Sequence, residues 1–146
     1  MTVAGSASDS AATTAACFPV GAGPGYDITV TGPNRFLRRF TGDRGAPGAT
    51  AHVTASCYRQ GREPALTLTL ANRGTAGVTF TVTAGAYVTD EPVTYRVPPG
   101  GSADHCADPV RDCGGWYDLT VTIDSDRAWS QRFTGHLETG APSVTG

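Results

Sequence analysis

The sequence predicts an all-β chain: an immunoglobulin-like antiparallel β-sandwich of about seven strands, plus an extra strand segment from a truncated upstream repeat. Three observations carry that expectation. Apolar residues alternate with threonine at a period of two, as in Leu66-Thr67-Leu68-Thr69-Leu70. Turn residues punctuate the chain regularly, at Asn72-Arg73-Gly74, Pro98-Pro99-Gly100-Gly101 and Asp112-Cys113-Gly114-Gly115. Finally, a stretch near the N-terminus returns near the C-terminus.

That return is specific. Tyr26-Asp27-Ile28-Thr29-Val30-Thr31 reappears as Tyr117-Asp118-Leu119-Thr120-Val121-Thr122, an offset of 91. Arg39-Phe40-Thr41-Gly42 reappears as Arg132-Phe133-Thr134-Gly135, an offset of 93. Upstream of both, Val3 to Asp9 echoes Val97 to Asp104. The slip of two falls in the intervening turn, where insertions cost least. The expected organisation is therefore residues 1–45 as the C-terminal half of one unit and residues 46–146 as a complete unit with its core at 50–143.

The half-unit should supply three strands, near 1–8, 25–31 and 35–42, which need an edge to pair with. They either dock on the complete sandwich or make the chain associate with itself. In the complete unit the strands fall at about 51–59, 65–71, 77–84, 92–97, 101–106, 116–123 and 128–137. Val78, Phe80, Val82 and Ala84 share one face against Thr79, Thr81 and Thr83. The same parity sets Val93, Tyr95 and Val97, and then Tyr117, Leu119, Val121 and Ile123, toward the core. Threonine on the wet face keeps the β-branching that suits a pleat without making an apolar patch. Seven short alternating strands at this spacing indicate two packed sheets.

Composition agrees: 39% hydrophobic residues, 19 Gly and 10 Pro in 146 residues suit strands and turns better than long helices. A net charge of −2 gives no field to attract nucleic acid or anionic lipid, and no phosphate-cradling loop is present. All 11 basic residues are arginine, which fits a GC-rich coding bias. No stretch reaches the ~20 apolar residues of a membrane span, and Met1-Thr2-Val3-Ala4-Gly5-Ser6 is not a signal peptide. Any export signal would belong to a larger precursor.

The four cysteines, Cys17, Cys57, Cys106 and Cys113, favour disulfides over zinc, because no Cys-x-x-Cys pair occurs. Four allow three connectivities. Cys106 and Cys113 bracket a closable six-residue loop and pair first; Cys17 with Cys57 follows by elimination and would clip the half-unit to the whole one. Disulfides imply an oxidising, extracellular compartment.

Few residues suggest chemistry. His52, His105 and His136 read as surface histidines, since no Gly-x-Ser-x-Gly or strained nucleophile turn accompanies them. Asp104-His105-Cys106 with Asp108 and Cys113 has metal-ligand types but no second matching pair, so no metal or other cofactor is expected. Arg38, Arg39 and Arg132 lie beside aromatics and would suit a phosphate or lipid headgroup. The stronger reading makes Arg39 and Arg132 strand-face partners of Asp27 and Asp118. Trp129 reads as core, whereas Trp116, on the parity opposite Tyr117, is a candidate contact for lipid or sugar. No catalytic residue is assigned.

The segments 25–42 and 115–144, the latter including Gly135-His136-Leu137-Glu138-Thr139-Gly140-Ala141-Pro142-Ser143-Val144, are similar to the tandem C-terminal repeats of bacterial phosphocholine-preferring phospholipases C. The likeness covers almost the whole chain; the four cysteines are not part of the pattern. It implies a non-catalytic, secreted accessory domain of an enzyme releasing phosphocholine from phosphatidylcholine or sphingomyelin. Catalysis would rest in a phosphatase-like partner domain, with roles here in stability, export or orientation on a phospholipid surface. A different class of function, a free-standing extracellular module binding carbohydrate or protein, shares the same architecture.

Overall fold

Alternating apolar residues become strands because only a pleated backbone sends every second side chain to the same side. The computed structural model describes the backbone of residues 2–6, 13–17, 23–60, 63–85, 90–109 and 114–137, and the side chains of 23–57, 65–85, 90–109 and 114–137. Within these the strands are β1 (Thr2–Ser6), β2 (Thr13–Cys17), β3 (Gly25–Thr31), β4 (Leu37–Asp43), β5 (Ala51–Gln60) and β6 (Glu63–Asn72). They continue as β7 (Val78–Ala84), β8 (Val93–Val97), β9 (Ser102–Ala107), β10 (Trp116–Ile123) and β11 (Ser130–His136). A 3₁₀ turn, Pro47–Thr50, leads into β5.

All strand pairings are antiparallel. One sheet has the order β5-β6-β9, and a second runs β3-β4-β11-β10-β7-β8. The three-stranded sheet faces the β8-β7-β10-β11 part of the larger one, which makes the expected sandwich. Leu66, Leu68 and Leu70 of β6 are fully buried against Phe80 and Val82 of β7 and Val121 of β10. Each such aliphatic side chain contributes roughly 1.5–3 kcal/mol by leaving water. Trp129 and Phe133 complete the core, with Trp129 edge-on to Phe80 at a centroid distance of 6.1 Å.

Asn72 ties one end of the two sheets together. It is 1% exposed, donates to the carbonyls of Ala76 (2.7 Å) and Val97 (3.2 Å), and accepts from the Gly74 amide (2.9 Å). Its backbone also receives the Gly100 amide and donates to the Gly101 carbonyl, joining the β8–β9 turn to the end of β6. Positive φ at Gly100 (72°) lets that turn close.

The first 45 residues differ from expectation in one respect. They contribute four strands rather than three, because β2 pairs with β1 from Thr2 opposite Cys17 to Ser6 opposite Thr13. The segment Thr13-Thr14-Ala15-Ala16-Cys17 has only small side chains, so no alternation marks it in the sequence. A second hairpin, β3–β4, joins the larger sheet through the pairing of β4 with β11. No helix among the described residues is long and apolar enough to cross a membrane.

Candidate functional site

The two recurring sequence blocks fold into hairpins of the same register. Tyr26 sits opposite Gly42 and Tyr117 opposite Gly135; Thr29 faces Arg39 as Thr120 faces Arg132. The glycines are required by close approach. A Cβ on Gly42 would lie 2.6 Å from the Tyr26 hydroxyl, and one on Gly135 would lie 2.6 Å from that of Tyr117. In each hairpin the arginine reaches diagonally to the aspartate of its partner strand in a bidentate fork. Arg39 donates Nε and Nη2 to Asp27 at 3.0 and 2.7 Å; Arg132 donates the same atoms to Asp118 at 3.0 and 2.8 Å.

β4 and β11 join the hairpins with Arg39 opposite Arg132, Arg38 opposite Phe133 and Phe40 opposite Gln131. At the offset of 93, each residue here faces the counterpart of its mirror position. The contact is therefore isologous about a local pseudo-two-fold axis between the two arginines. Like charges directly opposite repel, and each guanidinium is neutralised by its own hairpin's carboxylate. The result is a row Asp27–Arg39–Arg132–Asp118 across the outer face of four strands. The Asp27 carboxyl lies below its usual range because Arg39 bonds to its charged form, and the Arg39 guanidinium is correspondingly raised. Asp118 is buried, its side chain 7% exposed against 55% for Asp27, since the chain at Gly85 crosses over it.

The inner side of this junction holds Arg38. It is 5% exposed and shares the parity of Phe36 and Phe40, which is the signal in the sequence that it turns inward. Its Nη1 donates to the carbonyls of Leu37 and Thr134, both at 2.9 Å, and Nη2 donates to the Tyr117 hydroxyl at 2.9 Å. The guanidinium lies over the rings of Phe36 (4.4 Å), Phe133 (5.2 Å) and Tyr117 (5.6 Å). Burial pushes the Tyr117 hydroxyl pKa up, with Arg38 acting against that shift. The matching position on β11 is Gln131, also buried. Arg38 is thus a packing and junction residue, a role that reading it together with Arg39 as a basic pair misses.

Trp116 is half-buried rather than open. Its ring rests on His136 (4.6 Å between centroids), and the Arg35 guanidinium lies 5.7 Å from its centre. The expectation of surface histidines needs correction. His136 is 4% exposed, with Nε2 3.0 Å from the Gly114 carbonyl oxygen. Gly115, at φ 99°, passes so close that a Cβ would lie 2.8 Å from that nitrogen. His105 points between the sheets, its Nδ1 2.9 Å from the Tyr95 hydroxyl, and burial lowers its pKa. Only His52 is exposed.

Beside Trp116 an open cleft of about 270 Å³ is lined by Asp90, Glu91, His105, Cys106, Asp108 and Asp118, among others. Asp118 is already neutralised by Arg132. Among the described residues no group of three His, Cys, Asp or Glu is placed to hold a metal ion. Cys106 lies 3.8 Å from the Thr67 hydroxyl. No disulfide joins the two cysteines whose side chains are described, Cys57 and Cys106. The expected partners Cys17 and Cys113 lie outside the described side chains, so both pairings fall there.

The profile of the bacterial phospholipase C C-terminal domain matches residues 4–43 and again 46–136. The chain belongs to this family. Its second match spans β5 to β11, and the first spans most of β1 together with β2, β3 and β4. Similar curated proteins include the "Non-hemolytic phospholipase C" of Burkholderia pseudomallei, 40% identical over 121 residues. The match takes in 82% of this chain and 17% of that protein. The non-hemolytic and hemolytic phospholipases C of Pseudomonas aeruginosa are each 34% identical, over 118 and 122 residues, covering 79% and 81% of this chain. Those matches take in 17% and 16% of the two proteins, so the chain spans about a sixth of the length of these relatives.

Proposed function

We propose that this chain serves as a non-catalytic accessory domain of a secreted phospholipase C that releases phosphocholine from phosphatidylcholine or sphingomyelin. Coverage carries the reading: most of this chain matches only about a sixth of each named phospholipase C. The local chemistry is consistent with it. The charged groups on the outer face are spent on each other as Asp–Arg pairs, and the buried Arg38 bonds to carbonyls and a phenol. Residues 1–45 act as half of an upstream unit and 46–146 as a complete one, a division supported by the two separate profile matches. In an oxidising compartment Cys106 would pair with Cys113 and Cys17 with Cys57.

The domain's work would be to stabilise a phosphatase-like catalytic domain, to assist export, or to orient the enzyme on phospholipid. Trp116, Arg39 and Arg132 share the outer face that would make such contact. The isolated chain, assayed on phosphatidylcholine with a panel of divalent metals, should give no turnover; clear hydrolysis would overturn the accessory reading. Sedimentation with phosphatidylcholine vesicles, with Trp116→Ala as control, separates the orienting role from the others. Absence of pelleting removes lipid contact and leaves stability and export.

A further inference from the structure

We propose that the patch formed by Arg35, Trp116 and Val93 is the surface on which this chain docks against the rest of a longer phospholipase C. The inference rests on the accessory reading and names the face that carries it. Strain points to the patch first. The turn Pro33-Asn34-Arg35-Phe36 joins β3 to β4, with the Phe36 amide donating to the Pro33 carbonyl at 3.0 Å. Both central residues have positive φ, 54° at Asn34 and 55° at Arg35, the type I′ pattern. Asparagine tolerates that conformation, but the second place normally falls to glycine, because a Cβ there is crowded by the backbone. Among the described residues no other non-glycine residue has positive φ, so the matching β10–β11 turn carries no such strain. A side chain held where glycine is easier is held for its contacts. Arg35 is exposed and lies over Trp116, and the Thr134 hydroxyl donates to its carbonyl.

The surroundings of Trp116 describe the partner. The Arg35 cation stands over its ring, and Trp116 borders the cleft together with Asp90, Glu91 and Val93. Val93, 41% exposed, is the single large hydrophobic side chain left open to solvent among the described residues. Tryptophan and arginine beside open apolar surface, rimmed by charges of both signs, make the composition of a protein interface. A bilayer fits less well. The Trp116 ring packs on His136 and under Arg35 instead of standing free, and the two carboxylates share its cleft. The complementary surface carries an acid for Arg35, an apolar group for Val93 and a base for Asp90 and Glu91. The matched stretch makes up 16–17% of each relative, so most of such a protein is there to supply that surface.

Hydroxyl-radical footprinting of the chain alone and of the longer enzyme containing it tests the docking, with the buried Trp129 as internal reference. Oxidation of Trp116 and Val93 about threefold lower in the longer enzyme, at equal Trp129 oxidation, supports it. In that enzyme Arg35→Glu and Glu91→Arg, both at exposed positions, should each raise Trp116 oxidation about twofold, since like charges then meet across the contact. In the chain alone Arg35→Gly should leave the urea midpoint unchanged or raise it, because glycine relieves the turn. Equal oxidation in the two proteins, charge reversals without effect, or a lowered midpoint for Arg35→Gly overturns the proposal. So does protection of Trp116 in the chain alone on adding phosphatidylcholine vesicles, which would give the patch to lipid. Hydrolysis by the chain alone would sink the accessory reading and this inference with it, whereas equal oxidation sinks this inference only.

Discussion

At the scale of single residues, glycine under tyrosine is the sharpest constraint. Gly135 and Gly42 each lie beneath the ring of the tyrosine opposite, where a methyl group would come within 2.6 Å of a hydroxyl oxygen. Gly135→Ala should cost about 2 kcal/mol, as overpacking typically does, measured by urea unfolding. Gly42→Ala should cost less, since Tyr26 is half-buried and can yield, whereas Tyr117 is 4% exposed and held by Arg38. Two histidines contribute to the response to pH just below neutrality. Burial lowers the pKa of His105; the pKa of His52, an exposed residue whose ring is partly desolvated by its neighbours, is lowered too, with Arg73 adding to the effect. A base with a depressed folded pKa binds fewer protons folded than unfolded, so stability should fall as pH drops below about 6.5. His105→Gln should flatten that slope in urea titrations between neutral and mildly acidic pH, leaving the part due to His52.

At the scale of elements, turns and registers carry the fold. Asn72 serves the β6–β7 turn and the end of β8 at once through three side-chain hydrogen bonds. Asn72→Ala leaves two carbonyls and an amide without partners and should cost about 3 kcal/mol in thermal or chemical denaturation. The β4–β11 joint shows how much of the architecture was legible. Alternation located the strands within a few residues, because burying one face of a pleat leaves a period of two in the composition. The diagonal partners Asp27–Arg39 and Asp118–Arg132 were also readable, since each pair recurs at the same place in its hairpin. β2 was not, because small residues fit either face equally well. Nor was the burial of His136, which depends on a glycine turn and a tryptophan arriving from elsewhere in the chain.

At the scale of the whole molecule, the β3–β4 hairpin extends the edge of the sandwich that β5 to β11 form. That joint covers the β11 edge, leaves β3 as the next one outward, and buries Arg38 in the seam. The proposed disulfides act at this scale too, as Cys17–Cys57 would bind the first hairpin to β5. Chain produced under oxidising conditions and then denatured should give no free thiol with a thiol-reactive chromophore. Reduction should lower stability by about 2–4 kcal/mol.

Taken alone, the order of residues determined the sheet architecture, the recurring hairpins, the family and the pairing of charges within each hairpin. The family came from the likeness of particular motif residues; the others are written in local periodicity and spacing, which survive without knowledge of what lies opposite. Only the tertiary structure decided that β4 meets β11, that Arg38 is enclosed by three aromatic rings, and that Trp116 is stacked rather than open. Those outcomes depend on contacts between different strands, up to about 95 positions apart in the chain, and no short-range pattern encodes which surface a strand edge or an aromatic ring will find.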